Sequence, residues 1–299
     1  MFRSYLLTVL LFSSVGWTQA SPASSTKPDP VTVAFFAWGH DKHPYPDLRL
    51  DDLTILDNKQ PVRSITSLKK GSELPLSIGL LVDASGSQRS SELYQPGLRA
   101  ATDFLNQTLK GPGDRVFVVK VTVTPEASEF MSRAQFANFK LNVTPKGGTA
   151  LYDGVGLACD SWVKSDGPEA SRRVLIVLSD GDDNQSHITR QTAIEKALQA
   201  GVVFFPVSTE DDWSAYAYGE KGNSALQHLA EETGGEAFLH LNRKKVDQSF
   251  SQILDAINNM YLVTFEPADA NVKGLHRIEL RTSGKDKIRL RAPKGFYRR

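Results

Sequence analysis

Between Leu74 and Met260 the chain alternates short, almost wholly apolar runs with segments whose apolar residues return every three or four positions. Leu74 to Val82 (LPLSIGLLV) and Val174 to Leu178 (VLIVL) carry no polar alternation, so they read as strands buried on both faces. Val116–Val123, Val202–Val207 and Ala237–Leu241 read as further strands. Helical spacing appears in Leu98, Ala101, Leu105 and Leu109, across Ala150–Val163, and in Ala193, Ile194, Ala197 and Leu198, a helix ended by Gly201. Leu226, Leu229 and Ala230 mark another helix, and Val246, Phe250, Ile253 and Ile257 the last. A strand with no exposed face needs cover on both sides, and parallel neighbours need crossover helices. The pattern predicts an α/β domain over residues 74–260, doubly wound around a mostly parallel sheet.

The flanks follow a different grammar. Arg3, the apolar run Tyr5–Phe12 and the small-residue site Thr18-Gln19-Ala20 read as a signal peptide over residues 1–20. That run is shorter than the roughly 20 residues a spanning helix needs, and no later segment reaches that length. A secreted or periplasmic protein is the expectation. Residues 21–73 begin with a Ser/Pro-rich leader (SPASSTKPDP) and continue into strand-like Val31–Trp38, Leu53–Leu56 and Val62–Leu68. Residues 261–299 return to strands at Tyr261–Phe265, His276–Arg281 and Lys287–Arg291. Three short strands bury little alone, so the two flanks are expected to pair into one small β unit.

Charge and cysteine content narrow the function. Arg3 is the only charge in the first twenty residues, and without it 34 basic side chains face 34 acidic ones. A neutral chain has no long-range field to gather nucleic acid or an anionic membrane. The single cysteine, Cys159, excludes an internal disulfide and every cysteine-cluster zinc site. It sits in the apolar part of a predicted helix, where a buried, inert thiol is expected.

Ligands of a doubly wound sheet bind beyond the carboxyl ends of its strands. The first buried strand runs into Asp83-Ala84-Ser85-Gly86-Ser87, the later one into Ser179-Asp180-Gly181, and a loop, Gly147-Gly148-Thr149, opens the helix between them. These loops offer two carboxylates and three hydroxyls at one sheet edge. A hard divalent cation suits them, since Mg²⁺ takes about six oxygens at about 2.0–2.1 Å. The five candidate ligands are Asp83, Ser85, Ser87, Thr149 and Asp180.

Leu80–Ser87, Gly147–Thr149 and Val177–Gly181 together resemble the von Willebrand factor type A domain, whose metal-ion-dependent adhesion site (MIDAS) has this three-loop pattern. The resemblance implies that Ser85, Ser87 and Thr149 contact Mg²⁺ through hydroxyls, and that Asp83 and Asp180 bind it directly or through water. Mn²⁺ and Ca²⁺ are alternatives. It also implies a protein partner whose Asp or Glu completes the shell. Gln88 stands where Met is common in the family, outside the ligand set. Leu50–Pro61 and Arg289–Tyr297 look like the flanks of a bacterial, exported subfamily.

The expected function is therefore metal-dependent protein binding and not catalysis. No His or Cys forms a recognisable nucleophile–base pair, Ser85 lacks the G-x-S-x-G elbow, and no G-K-[ST] follows Gly147-Gly148-Thr149. Two rivals stand beside it: a scaffold whose metal merely stabilises the loops, and a Mg²⁺-dependent hydrolase. Asp182 and Asp183 read as a solvated acidic rim ahead of a second Ca²⁺ site, and Glu210-Asp211-Asp212 as a polar loop. The basic strand Lys287–Arg291 reads as a charged edge strand ahead of a polyanion patch.

Overall fold

The computed structural model describes residues 29–40, 43–165, 171–210, 221–269, 271–283 and 288–298. The expected signal peptide, most of the leader, Asp211, Asp212 and Lys287 lie outside them. Helices α1 (Tyr94–Thr108), α2 (Arg133–Ala137), α3 (Leu151–Lys164), α4 (Arg190–Ala200), α5 (Lys221–Thr233) and α6 (Arg243–Asn258) follow one another in the chain. Strands β5 (Leu76–Asp83), β6 (Arg115–Val121), β7 (Glu126–Ala127), β8 (Arg172–Ser179) and β9 (Val202–Ser208) form one sheet in the order β7-β6-β5-β8-β9. Every pairing in it is parallel except that of the two-residue β7 with β6.

All eight residues of β5 are buried, as its unbroken apolar run requires. Ile78, Leu80 and Val82 point into a core closed by Ala101 and Leu105 of α1 and by Phe250 and Ile253 of α6. Leu81 points the other way, into a core with Ala158 and Trp162 of α3, Ala197 of α4 and Leu226 of α5. The period of two along one strand thus feeds two helical layers, and the domain is doubly wound around a mostly parallel sheet.

The flanks assemble two further sheets. β1 (Val31–Trp38), β4 (Ser64–Lys70), β10 (Met260–Glu266) and β12 (Arg289–Arg291) take the order β12-β1-β10-β4. β2 (Leu53–Asp57), β3 (Gln60–Pro61), β11 (Gly274–Thr282) and β13 (Gly295–Arg298) take the order β13-β11-β2-β3. One face of β1 and β10 (Val33, Phe35, Val263, Phe265) packs on Ile55 and Ile278 of the second sheet. The opposite face (Ala34, Phe36, Leu262) joins the α1/α6 core, where Phe36 meets Phe205 edge-on at 6.1 Å. Burying a side chain of that size contributes about 2–3 kcal/mol, so the small β unit leans on the α/β domain through shared strands.

Three sequence expectations change. The segment read as one strand, Val62–Leu68, switches sheets: Val62 N–H bonds Ile55 C=O, and Arg63 N–H bonds Glu266 C=O. The strand expected at Ala237–Leu241 shrinks to one bridge, Phe238 with Val207. His240 takes a left-handed φ of 51°, which an extended chain cannot continue through. The basic tail strand does lie at a sheet edge as β12, yet Arg291 is put to internal use. Its guanidinium sits 5.0 Å from the Phe36 ring and 4.8 Å from the Trp38 ring, and pairs with Glu236 at 2.7 Å. That contact fastens the β unit to the segment after α5.

Candidate metal centre

β5 ends on Asp83 and β8 on Ser179, so both strands deliver their last side chains to the carboxyl edge of the sheet. Asp83 is fully buried. Its Oδ1 accepts the Ser85 N–H at 2.9 Å, and its Oδ2 accepts from Ser179 Oγ at 2.7 Å and from Gln88 Nε2 at 3.4 Å. Ser85 Oγ and Ser87 Oγ are 2.9 Å apart, and Ser87 Oγ donates to Asp180 Oδ2 at 2.6 Å. Four of the five sequence-predicted ligands therefore form one hydrogen-bonded network, Asp83 joining it through the Ser85 N–H.

Thr149 enters through the backbone. Gly86 N–H reaches Gly147 C=O at 2.9 Å and Lys146 N–H reaches Ala84 C=O at 2.8 Å, which locks the first loop to the second. Thr149 N–H donates to Asn184 Oδ1, and Thr149 C=O accepts the N–H groups of Asn184 and Gln185, all at 3.0 Å. This locks the second loop to the third. Thr149 itself is buried, and among the described residues its hydroxyl makes no hydrogen bond to the other four candidate ligands.

The acidic run after Asp180 divides its work. Asp182 is exposed, as a solvated rim would be. Asp183 instead accepts the Leu151 N–H at 2.8 Å and the Ser186 hydroxyl at 2.6 Å, placing a carboxylate at the amino end of α3. Sequence reasoning missed Ser179, Asp183 and Asn184 as the side chains that hold the loops in register. Ser179 stood inside the quoted motif, and its position at the end of a buried strand was the available signal. Cys159 lies on the buried face of α3, and burial pushes its thiol up.

Two carboxylates share this edge with no cation beside them among the described ion pairs. Burial, followed by the charge of Asp180, raises Asp83 from 3.8 to about 6 against the opposing pull of its Ser179 and Ser85 hydrogen bonds. Burial raises Asp180 as well, with the Asp182 charge adding to it against the Ser87 hydrogen bond. The donor set is all oxygen and short of positive charge, which fits a hard divalent cation. Among the described residues no group of three His, Cys, Asp or Glu side chains is placed to hold a metal, so the hydroxyls belong to any such site.

The raised Asp83 makes a testable pH profile. The folded state binds its proton more tightly than the unfolded chain does, so stability from this group is full below about pH 4 and is lost as pH rises through about 6. In EDTA, the urea-unfolding free energy of wild type minus that of Asp83→Asn should fall by about 2 kcal/mol over that window. A flat difference would mean that Asp83 ionises freely.

No protein-family model matches the sequence, and no curated protein matches it. Solved structures do share its shape. A von Willebrand factor type A protein from Catenulispora acidiphila superposes with a TM-score of 0.50 at 12% identity, over 93% of this chain and 76% of that one. The fold is that of a von Willebrand factor type A domain. Proximal thread matrix protein 1 from the mussel byssus, in a structure with a zinc-occupied MIDAS motif, superposes with a TM-score of 0.50 at 19% identity. That match covers 68% of this chain and 49% of the mussel protein, so this chain spans about half its length. In this fold the three loops that carry Asp83, Ser85, Ser87, Thr149 and Asp180 occupy the carboxyl edge of the sheet.

Proposed function

We propose that this protein is an exported, metal-dependent protein-binding module. Asp83, Ser85, Ser87, Thr149 and Asp180 hold a divalent cation, Mg²⁺ before Mn²⁺ or Ca²⁺, and an Asp or Glu of the partner completes its shell. The observation that carries this reading is the convergence of two carboxylates without a paired cation, Asp83 buried and Asp180 half-buried, with the hydroxyl-bearing loops at one sheet edge. An oxygen-only donor set favours Mg²⁺ over zinc, and the zinc held by the mussel protein's MIDAS supports a divalent ion in such a fold. Two carboxylates compensate the ion's charge, and a third from outside is accepted without overloading it.

Binding is preferred to catalysis because, among the described residues, the groups hydrogen-bonded to Asp83, Ser85 and Ser87 beyond the candidate ligands themselves are hydroxyls, amides and backbone N–H, none of them a base for activating water. Export rests on Arg3, the apolar run Tyr5–Phe12 and Thr18-Gln19-Ala20. Among the described residues no helix is long and apolar enough to cross a membrane.

The test is binding of an immobilised peptide with one central Glu to the Mg²⁺-loaded protein. Retention should be lost in EDTA, restored by Mg²⁺, and absent for the Gln peptide. Metal that raises the melting temperature without conferring peptide binding would favour the scaffold reading.

A further inference from the structure

The surface around the metal centre is polarised, although the chain as a whole is close to neutral. On one flank, Asp180, Asp182 and Glu210 line a pocket of about 350 Å³ with Ser87, Ser91 and Thr209. On the other flank, the ends of β6 and of the loop before Thr149 line a groove of about 560 Å³ that reaches the site at Ala84 and Gly147. Lys120 and Lys146 line this groove, with Thr122, Thr144 and Asn142 as further polar groups. Arg89 stands beside it, its Nε donating to Pro145 C=O at 2.8 Å in the same loop. Among the described residues none of these three cations is in an ion pair, and the groove's lining holds one carboxylate, Glu126, the register partner of Lys120 across β6 and β7. Val123 completes the groove at 48% exposure, one of three large apolar side chains left so open among the described residues.

Unpaired cations around an exposed aliphatic side chain, directly beside a site that takes a carboxylate, select by charge complementarity. Resting on the metal-binding reading above, we propose that the groove of Lys120, Val123 and Lys146 receives a second acidic residue of the partner. The segment recognised is then an acidic peptide stretch with two carboxylates, one on the metal and one on the groove. Its direction is set as well, because the Asp180/Asp182 flank repels the second carboxylate. The groove contact lies at the surface, so salt weakens it more than it weakens the carboxylate at the metal.

The experiment uses the full Mg²⁺-loaded protein and a peptide panel with a fixed Glu followed, after one to four glycines, by a second Glu or by Gln. At one spacing the two-acid peptide should bind about fivefold more tightly than its Gln counterpart, the scale of one or two exposed charge contacts. Lys120→Gln/Lys146→Gln, or Lys146→Gln alone if the pair unfolds, should abolish or reduce that advantage. Either variant should keep Mg²⁺ affinity and single-acid binding unchanged. If no spacing gains over Gln while single-acid peptides still bind, the groove inference is overturned and the metal reading stands. An advantage that survives the double variant, or two-acid binding that survives EDTA, overturns it too. If Mg²⁺ binds and no acidic peptide does, the carboxylate reading falls and takes the groove with it.

Discussion

Replacing Asp83 with Asn will abolish divalent-metal binding and at the same time stabilise the metal-free fold. Calorimetric titration of Mg²⁺ or Mn²⁺ into the wild-type protein should show saturation near one equivalent, and the variant should lose at least about two orders of magnitude in affinity. The two halves of the result have one cause. Asp83 is fully buried next to Asp180 and is held with its carboxyl raised to about 6, so without a cation its negative charge opposes folding at neutral pH. Asn removes that charge and retains a carbonyl oxygen for the Ser85 N–H, while the Ser179 hydroxyl can turn to accept from the new amide. A gain of about 1–2 kcal/mol in EDTA at pH 8 is expected. Because a cation must displace any proton on Asp83, wild-type affinity should also fall below about pH 6, approaching tenfold per pH unit where one proton is released. Unchanged metal binding in the Asn variant would remove this site from the protein.

The positions of the five candidate ligands were legible because each lies on a feature the chain cannot hide. A strand buried on both faces must be an unbroken apolar run, so its end is visible, and Asp83 is the first charge after LPLSIGLLV. Asp180 stands likewise after VLIVL and Ser179, and Thr149 after two glycines that open α3. The supporting side chains were not legible, since their roles depend on which loop meets which. Asn184 looks like any loop amide until Thr149 is placed 3.0 Å from it, and Asp183 reads as rim acidity until the amino end of α3 faces it. The same holds in the flanks. Nothing in the run from Val62 to Leu68 announces that Val62 and Arg63 bond to different sheets, because the switch is made by the partners Ile55 and Glu266. Arg291 reads as one more base in a basic tail until Phe36, Trp38 and Glu236 surround it.

Gly222→Ala should damage both fold and metal site, although in isolation the change favours a helix. Gly222 is the second residue of α5, where Ala is the better helix former by about 1 kcal/mol. Its Cα, however, lies against the chain that carries a proposed metal ligand: a Cβ there would collide with the Asp180 carbonyl oxygen. The contact is reciprocal, since a Cβ on Gly181, at φ +84°, would collide with the Gly222 carbonyl. The next residue, Asn223, accepts the Ser208 hydroxyl at 2.7 Å, so the first turn of α5 is pinned to the end of β9 and cannot retreat freely. Backbone against backbone leaves no flexible side chain to give way, so Asp180 must move. A loss of about 2–4 kcal/mol in urea unfolding is expected, together with weakened Mg²⁺ binding in calorimetry. Gly201→Ala supplies the contrast. Gly201 has φ +63° at the end of α4 with nothing within 4 Å of a new Cβ, so it should cost about 1 kcal/mol and leave metal affinity intact. If Gly222→Ala proves no worse than Gly201→Ala on both measures, Asp180 is not held by α5, and the third loop owes its position to Asp183 and Asn184 alone.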